Sequence, residues 1–188
     1  MKIVLASKSP RRRELLGRLF LEFEIITGET DEALPQGTHP SVGVELLAKR
    51  KGYAVAQELD SDALVISSDT LVELDGVPLG KPVNTNDAIR MLSELSGRTH
   101  HVHTGVAVHY KGRVYSGVDS AAVTFRKLSE KEISEYVLGG EPMDKAGAYA
   151  IQGGGAKFVE KYEGEFDAIV GLGLKLTKKL FDAAVEDD

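Results

Sequence analysis

Ile3-Val4-Leu5-Ala6-Ser7-Lys8-Ser9-Pro10-Arg11-Arg12-Arg13-Glu14-Leu15-Leu16 reads as a strand that turns directly into a helix. Residues 2–6 form the apolar strand, and residues 10–20 form the helix. Ser9 has the side chain of a helix N-cap, and Pro10 suits the first helical position. Leu15, Leu16 and Leu19 fall at helical spacing and supply a buried face. Arg11, Arg12 and Arg13 break the usual rule. A helix N-terminus carries partial positive charge, so each cation there is misplaced by about 0.3–1 kcal/mol. Cations crowded beside free backbone N–H groups make sense where an anion is expected, and phosphate is the usual one. Ser9 as a nucleophile lacks the Gly-x-Ser-x-Gly elbow and an evident base, so capping is the better account.

The alternation continues outward from this unit. Phe23 to Ile26 reads as a strand, followed by a polar stretch from Gly28 to Pro40. Ser41 is the expected cap of a helix over 42–58, and Ala63-Leu64-Val65-Ile66 has the composition of a short buried strand. Leu71 to Leu79 reads as a hairpin with Asp75-Gly76 at the turn, and Asn86 to Leu95 as a helix stopped by Gly97. His101 to Tyr110 and Arg113 to Phe125 pair around Lys111-Gly112. Ser129-Glu130-Lys131-Glu132 is a capping box opening a helix to Leu138, ended by Gly139-Gly140. Tyr149 to Ile151 and Lys157 to Tyr162 suit short strands, and Leu172 to Ala184 a C-terminal helix. The pattern predicts one α/β domain over residues 1–188, with a mixed sheet, because hairpins are antiparallel by construction.

Composition narrows the function. The 188 residues can bury a core unaided, and 42% hydrophobic with 28% charged residues is ordinary for a globular protein. The formal net charge of −6 and the 6% aromatic content argue against nucleic-acid binding, which needs a broad basic face and stacking platforms. Local basic clusters in an acidic chain point instead to a small anionic ligand. No run reaches the ~18 apolar residues of a membrane span, and no secretory leader is expected. The chain has no cysteine, which removes disulfides, thiolate metal sites and a thiol nucleophile.

Asp69 follows the apolar run 63–66 and is expected at the carboxyl end of a buried strand, where open α/β sheets bind ligands. A carboxylate there can hold a divalent metal or activate water; it can equally close a turn. Lys81 sits in Gly80-Lys81-Pro82, which is not a P-loop: the glycine spacing is short and Pro82 stands where Ser or Thr is needed. Lys51 lies in Lys49-Arg50-Lys51, a run more often found on a solvated helix face. Gln152, followed by Gly153-Gly154-Gly155, can serve a base edge or a phosphate, or simply a turn. His101 and His103 share a strand face, yet no neighbouring ligand completes a zinc set, so a structural role is expected. Gly171-Leu172-Gly173 lacks the third glycine of a dinucleotide fingerprint and reads as a helix-entry turn.

Leu5-Ala6-Ser7-Lys8-Ser9-Pro10-Arg11-Arg12, Ser68-Asp69-Thr70, Gly80-Lys81-Pro82, Leu95-Ser96-Gly97-Arg98-Thr99-His100 and the run from Glu141 to Gly153 occur in one order along nearly the whole chain. Together they resemble the Maf family of nucleotide pyrophosphatases. The resemblance implies the inosine-triphosphate-pyrophosphatase-like fold: an elongated mixed sheet flanked by helices, with two lobes around a deep cleft. It implies hydrolysis of a nucleoside triphosphate to monophosphate and pyrophosphate, a divalent metal (Mg²⁺ or Mn²⁺), a cytoplasmic location and a homodimer. Asp69-Thr70 with Ile151-Gln152-Gly153 resembles the branch acting on dTTP and UTP; the 7-methyl-GTP branch tends to carry Gln and Glu in place of Thr70 and Gln152. By the same resemblance Asp69 is catalytic, and Ser7, Ser9, Arg11, Arg12, Lys51 and Lys81 bind phosphates. Arg11, Thr70 and Gln152 bear on base choice, and Glu32 joins Asp69 as a metal ligand. Alternatives are a modified nucleotide as substrate, or a non-catalytic nucleotide-binding regulator of septum formation. Lys8 stands where many members have a small residue, and Ser67-Ser68 replaces a more apolar pair.

Overall fold

The structure is a computed structural model, and it describes residues 1–187. A seven-stranded sheet forms the centre, in the order β2-β1-β3-β5-β6-β7, with β4 beside β3. Its strands are β1 (Lys2–Leu5), β2 (Glu24–Ile25), β3 (Ala63–Leu74), β4 (Val77–Leu79), β5 (Thr99–Tyr110), β6 (Arg113–Phe125) and β7 (Val159–Glu163). The helices are α1 (Pro10–Leu16), α2 (Pro40–Ala56), α3 (Thr85–Leu95), α4 (Glu130–Leu138), α5 (Phe166–Val170) and α6 (Leu174–Glu186). β1 runs parallel to β2 and to the start of β3, and every other pairing is antiparallel. The mixed α/β class expected from the alternation is therefore what the chain adopts.

Local signals set several boundaries. Ser9 Oγ accepts the Arg12 N–H at 3.4 Å. Lys111 and Gly112 both have positive φ, as a two-residue hairpin turn requires. The capping box at α4 is complete in both directions. Other boundaries move. α1 stops at Leu16, and residues 18–20 continue only as hydrogen-bonded turns. His39, not Ser41, caps α2, its Nδ1 accepting the Ser41 N–H. Tyr149 to Ile151 is not a strand; 3₁₀ turns at Glu141–Asp144, Ala146–Ala148 and Gly154–Phe158 occupy that region instead. α5 was not anticipated, and α6 begins at Leu174 rather than Leu172.

The most consequential difference lies in β3. The sequence suggests a strand ending at Ile66; the strand runs twelve residues, to Leu74, and Asp69 stands in its middle, opposite Gly105 of β5. β1 ends at Leu5, and its pairing closes with the Ala6 N–H on the Ile66 carbonyl at 2.8 Å. β4 joins the same edge only at Val72. Residues 67–71 thus keep a neighbour on the β5 side alone, and their other edge is open. The crevice expected beyond a strand end is here a gap between two shorter neighbours of one long strand.

α2 lies directly on the sheet over this gap. A Cβ at Gly105 would sit 2.4 Å from the Val44 carbonyl oxygen, and one at Gly52 would sit 2.4 Å from the His109 ring. Only glycine permits that approach, which seats the helix turn carrying Lys51, the residue before Gly52, over the open edge of β3. The main core lies between the sheet and the remaining helices, around Phe125, Phe158, Leu92, Leu95 and Leu172. A smaller one under α2 holds Val4, Ala6, Val55 and Val65.

Candidate active site

The open edge of β3 needs donors, and Arg12 supplies them. Its Nη1 donates to the Ser68 carbonyl at 2.8 Å, where a sheet neighbour is missing. Its Nε donates to the Gly171 carbonyl at 2.9 Å, and its Nη2 to Thr70 Oγ1 at 3.2 Å. Burial pushes the Arg12 guanidinium down from its ordinary value, and the charge of Asp69 opposes that push. Gly171, with a φ of +133°, also accepts from Ser68 Oγ at 2.8 Å. Thr104 Oγ1 donates its only proton to the Ala168 carbonyl at 2.7 Å. The 2.9 Å contact between Thr70 and Thr104 therefore has Thr70 as donor. The Thr70 hydroxyl has thus spent its proton inside the protein and accepts once, from Arg12. Ser67, on the opposite face, donates to the Ala48 carbonyl of α2 at 2.7 Å. Both hydroxyls of the Ser67-Ser68 pair thus have partners, which accounts for polar residues in the middle of a buried strand.

Asp69, 8% exposed, shares the face of Ser67 and meets α2. Its Oδ1 accepts from Lys51 Nζ, and the same ammonium lies 2.8 Å from Glu32 Oε1. The hydrogen bond from Lys51 holds the Glu32 carboxyl below its ordinary value, against a smaller push from burial; Lys81 and Arg12 add to the lowering. Glu32 sits on a loop with no regular structure, and Arg50 fixes that loop by donating to the carbonyls of Asp31 (3.2 Å) and Ala33 (2.6 Å). The basic run on α2 is divided by role. Lys49 forms a helix-face pair with Glu45, Arg50 anchors the loop, and Lys51 joins two carboxylates.

These groups border one cleft of about 520 Å³, also lined by Arg11, Lys81, Gln152, Asp144, Lys145, Tyr149 and Ile169. Arg11, Lys81 and Gln152 make no side-chain hydrogen bond or ion pair among the described residues. Lys81 is steadied through its neighbours: the Gly80 carbonyl accepts from the Gly147 N–H at 3.1 Å, and Pro82 is buried. Lys145 pairs with Asp144 and lies 3.2 Å from the Glu141 carbonyl. The Lys145 hydrogen bond lowers the Asp144 carboxyl, with a further contribution from Arg11. The cleft therefore offers unpaired cations and an unpaired amide around a buried carboxylate. That is a fit for a polyphosphate with a hydrogen-bonding head group.

Of the residues named from sequence, Arg11, Arg12, Glu32, Lys51, Asp69, Thr70, Lys81 and Gln152 come together around this cleft. Ser7 and Ser9 lie outside its lining. Ser9 caps α1, and Ser7 Oγ accepts the Ser9 N–H at 3.2 Å. Lys8 is exposed and also outside. Arg50, Lys145 and Tyr149 were missed; the run from Glu141 to Gly153 carried the last two, but only as part of a motif. His101 and His103 do share a face, with rings 6.1 Å apart, and His103 bridges Ser120 and Glu73 at 2.7 Å each. Among the described residues, no group of three or more histidines and carboxylates is arranged to hold a metal by itself. No helix of the described residues is long and apolar enough to cross a membrane.

The family model described as Maf-like protein matches residues 2–184. A dTTP/UTP pyrophosphatase of Moorella thermoacetica is 52% identical over 95% of this chain and 93% of its own length. One of Vibrio cholerae is 46% identical over 95% of this chain and 96% of its own. A solved structure, that of the Staphylococcus aureus Ham1 protein, overlaps 69% of this chain and 73% of that chain at a TM-score of 0.48 and 18% identity.

Proposed function

The chain belongs to the Maf-like protein family, and on that footing we propose that it is a nucleoside triphosphate pyrophosphatase taking dTTP and UTP to the monophosphate and pyrophosphate. The single observation that carries this reading is the cleft itself. Two unpaired cations, Arg11 and Lys81, face a buried carboxylate, Asp69, with the free amide of Gln152 in the same lining.

Cleavage between the α and β phosphates needs water aimed at the α phosphorus and a neutralised leaving group. Arg11 and Lys81 have every donor available for phosphate oxygens: the arginine as a fork, the lysine as a point charge. Arg12 adds charge from a fixed position, since three of its donors are already engaged. Asp69 accepts a proton from the attacking water as the water oxygen bonds to the α phosphorus. The α–β anhydride bond breaks, and the electron pair leaves with pyrophosphate. Lys51, bonded to Asp69 Oδ1, holds that carboxylate oriented for the task. Gln152 offers one donor and one acceptor to the edge of uracil or thymine, so a base of another pattern leaves buried groups unpaired.

In the alternative role for Asp69, it and Glu32 would hold Mg²⁺ or Mn²⁺ through their carboxylate oxygens, the Lys51 ammonium they now share giving way to the ion. That ion, when bound, supplies charge neutralisation at the phosphates. The same reading places the protein in the cytoplasm as a homodimer, on the strength of the family resemblance.

The test is a panel of nucleoside triphosphates, including 7-methyl-GTP, assayed for pyrophosphate release with and without EDTA. Fast release from dTTP and UTP, lost on chelation, is expected. Release from neither would overturn the reading; release undiminished by EDTA would remove the metal from it.

A further inference from the structure

The Gln152 side chain makes no hydrogen bond, yet the backbone that carries it is held from behind at both ends. At one end, the Ala150 N–H donates to the Tyr136 hydroxyl of α4 at 3.2 Å. At the other, the Gly154 N–H donates to Glu141 Oε1 at 3.1 Å. The fit is too close for side chains. A Cβ at Gly153 would lie 1.9 Å from Glu141 Oε1. One at Gly154 would lie 3.1 Å from the Tyr136 ring, and one at Gly155 2.8 Å from the Ala150 carbonyl oxygen. The three consecutive glycines thus let the segment lie against Glu141 and Tyr136 rather than granting it freedom. Glu141 Oε2 is buried with no hydrogen-bond partner. It faces the same glycines, 3.0 Å from the Gly153 Cβ position and 3.2 Å from that of Gly154. Neither Glu141 nor Tyr136 lines the cleft.

We infer that Glu141 and Tyr136 are positioning residues for base discrimination: they clamp the segment from Ala150 to Gly154 so that Gln152 presents its amide in one place. The inference rests on the proposed triphosphate hydrolysis and deepens it. Rejecting a wrong base requires a donor and acceptor that do not move to suit it. A mobile Gln152 would re-pair with other base edges, and selectivity would fall before turnover did.

Two measurements separate the clamp from the reaction. Backbone amide exchange is followed in the wild type, Glu141→Ala, Glu141→Gln and Tyr136→Phe, on peptides spanning residues 149–156. Faster exchange is expected there in Glu141→Ala and Tyr136→Phe, with Glu141→Gln close to wild type because its carbonyl still accepts from Gly154. Unchanged exchange in the first two variants would overturn the clamp. In parallel, kcat/KM is measured for dTTP against dCTP and dGTP. The dTTP preference should drop about tenfold in Glu141→Ala, roughly the contribution of one hydrogen bond. Glu141→Gln should restore it, and kcat for dTTP should change less than threefold. Faster exchange with an intact preference would overturn the link to base choice. A wild type that hydrolyses no triphosphate would sink the proposed function and the base-reading role together, while exchange would still decide whether the clamp exists.

Discussion

Arg11 and Arg12 are adjacent in sequence and identical in chemistry, yet they belong to opposite kinds of wall. Arg12 is built into the sheet side of the cleft, where Ser68, Thr70, Thr104, Gly171 and Ala168 form one connected hydrogen-bond set. Arg11 faces the same space with no partner, as do Lys81 and Gln152. One wall is mostly engaged within the fold, with two of the five Arg12 N–H groups left over, and the other is open. A polar residue beside a cleft is therefore not automatically a ligand contact. Its remaining donors and acceptors must be counted first.

The largest effect should come from the one carboxylate lying between these regimes. Asp69→Asn should lower dTTP turnover by about 100- to 10,000-fold, the span of a lost general base, with an unchanged circular-dichroism spectrum. Wild-type turnover in that variant would remove Asp69 from the chemistry.

Arg12→Ala tests the engaged wall. It leaves the Ser68 and Gly171 carbonyls short of a donor, and the protein should lose about 2–4 kcal/mol. The melting point should then fall by roughly 5–15 °C. Arg12→Lys should not restore it, since a single ammonium cannot serve three acceptors on separate elements. A stable Arg12→Ala protein would erase the distinction between the walls.

His100 sharpens the contrast from behind. Its ring is buried against Phe125 and Tyr149, with Nε2 2.8 Å from the Tyr149 hydroxyl, and burial holds its pKa down at about 3. The unfolded chain binds a proton near pH 6.5 that the folded chain refuses. Stability therefore falls as pH drops from about 6.5 towards 3, by at most a few kcal/mol. His100→Gln should flatten the melting-point curve across that window; an unaltered slope would assign the acid sensitivity elsewhere.

Arg11→Ala tests the open wall. KM for dTTP should rise about tenfold, with the melting point moving by no more than about 1 °C, because nothing in the fold depends on this side chain. A large loss of stability would show that Arg11 has structural partners after all. Lys8→Ala should change neither quantity measurably.

The strand–helix opening, the Lys111-Gly112 hairpin and the capping box at Ser129 were legible because each is decided within a few residues. So was the grouping of most cleft residues, through ordered motifs. What escaped was decided at a distance. Asp69 looked like a strand end because four polar residues follow an apolar run, and nothing nearby reveals that Ala48, Thr104 and Gly171 satisfy them. Arg12 is legible as a cation at a helix start, but its structural partners are not, because they lie 56 to 159 positions away. Glu32 was named by resemblance alone; the Arg50 bonds that hold its loop leave no local trace. Tyr149 to Ile151 has strand-like composition but lies among turns for a related reason. Their shape is set by packing against Tyr136 and Glu141, not by propensity.

The bond from Arg12 to the Gly171 carbonyl also orders events in time. During synthesis, the first helix emerges long before the residue that completes its guanidinium's surroundings. A nascent chain still on the ribosome, or a fragment cut ahead of position 171, holds Arg12 but not the carbonyl that its Nε meets. The surroundings of Arg12 are complete only once that late residue is in place.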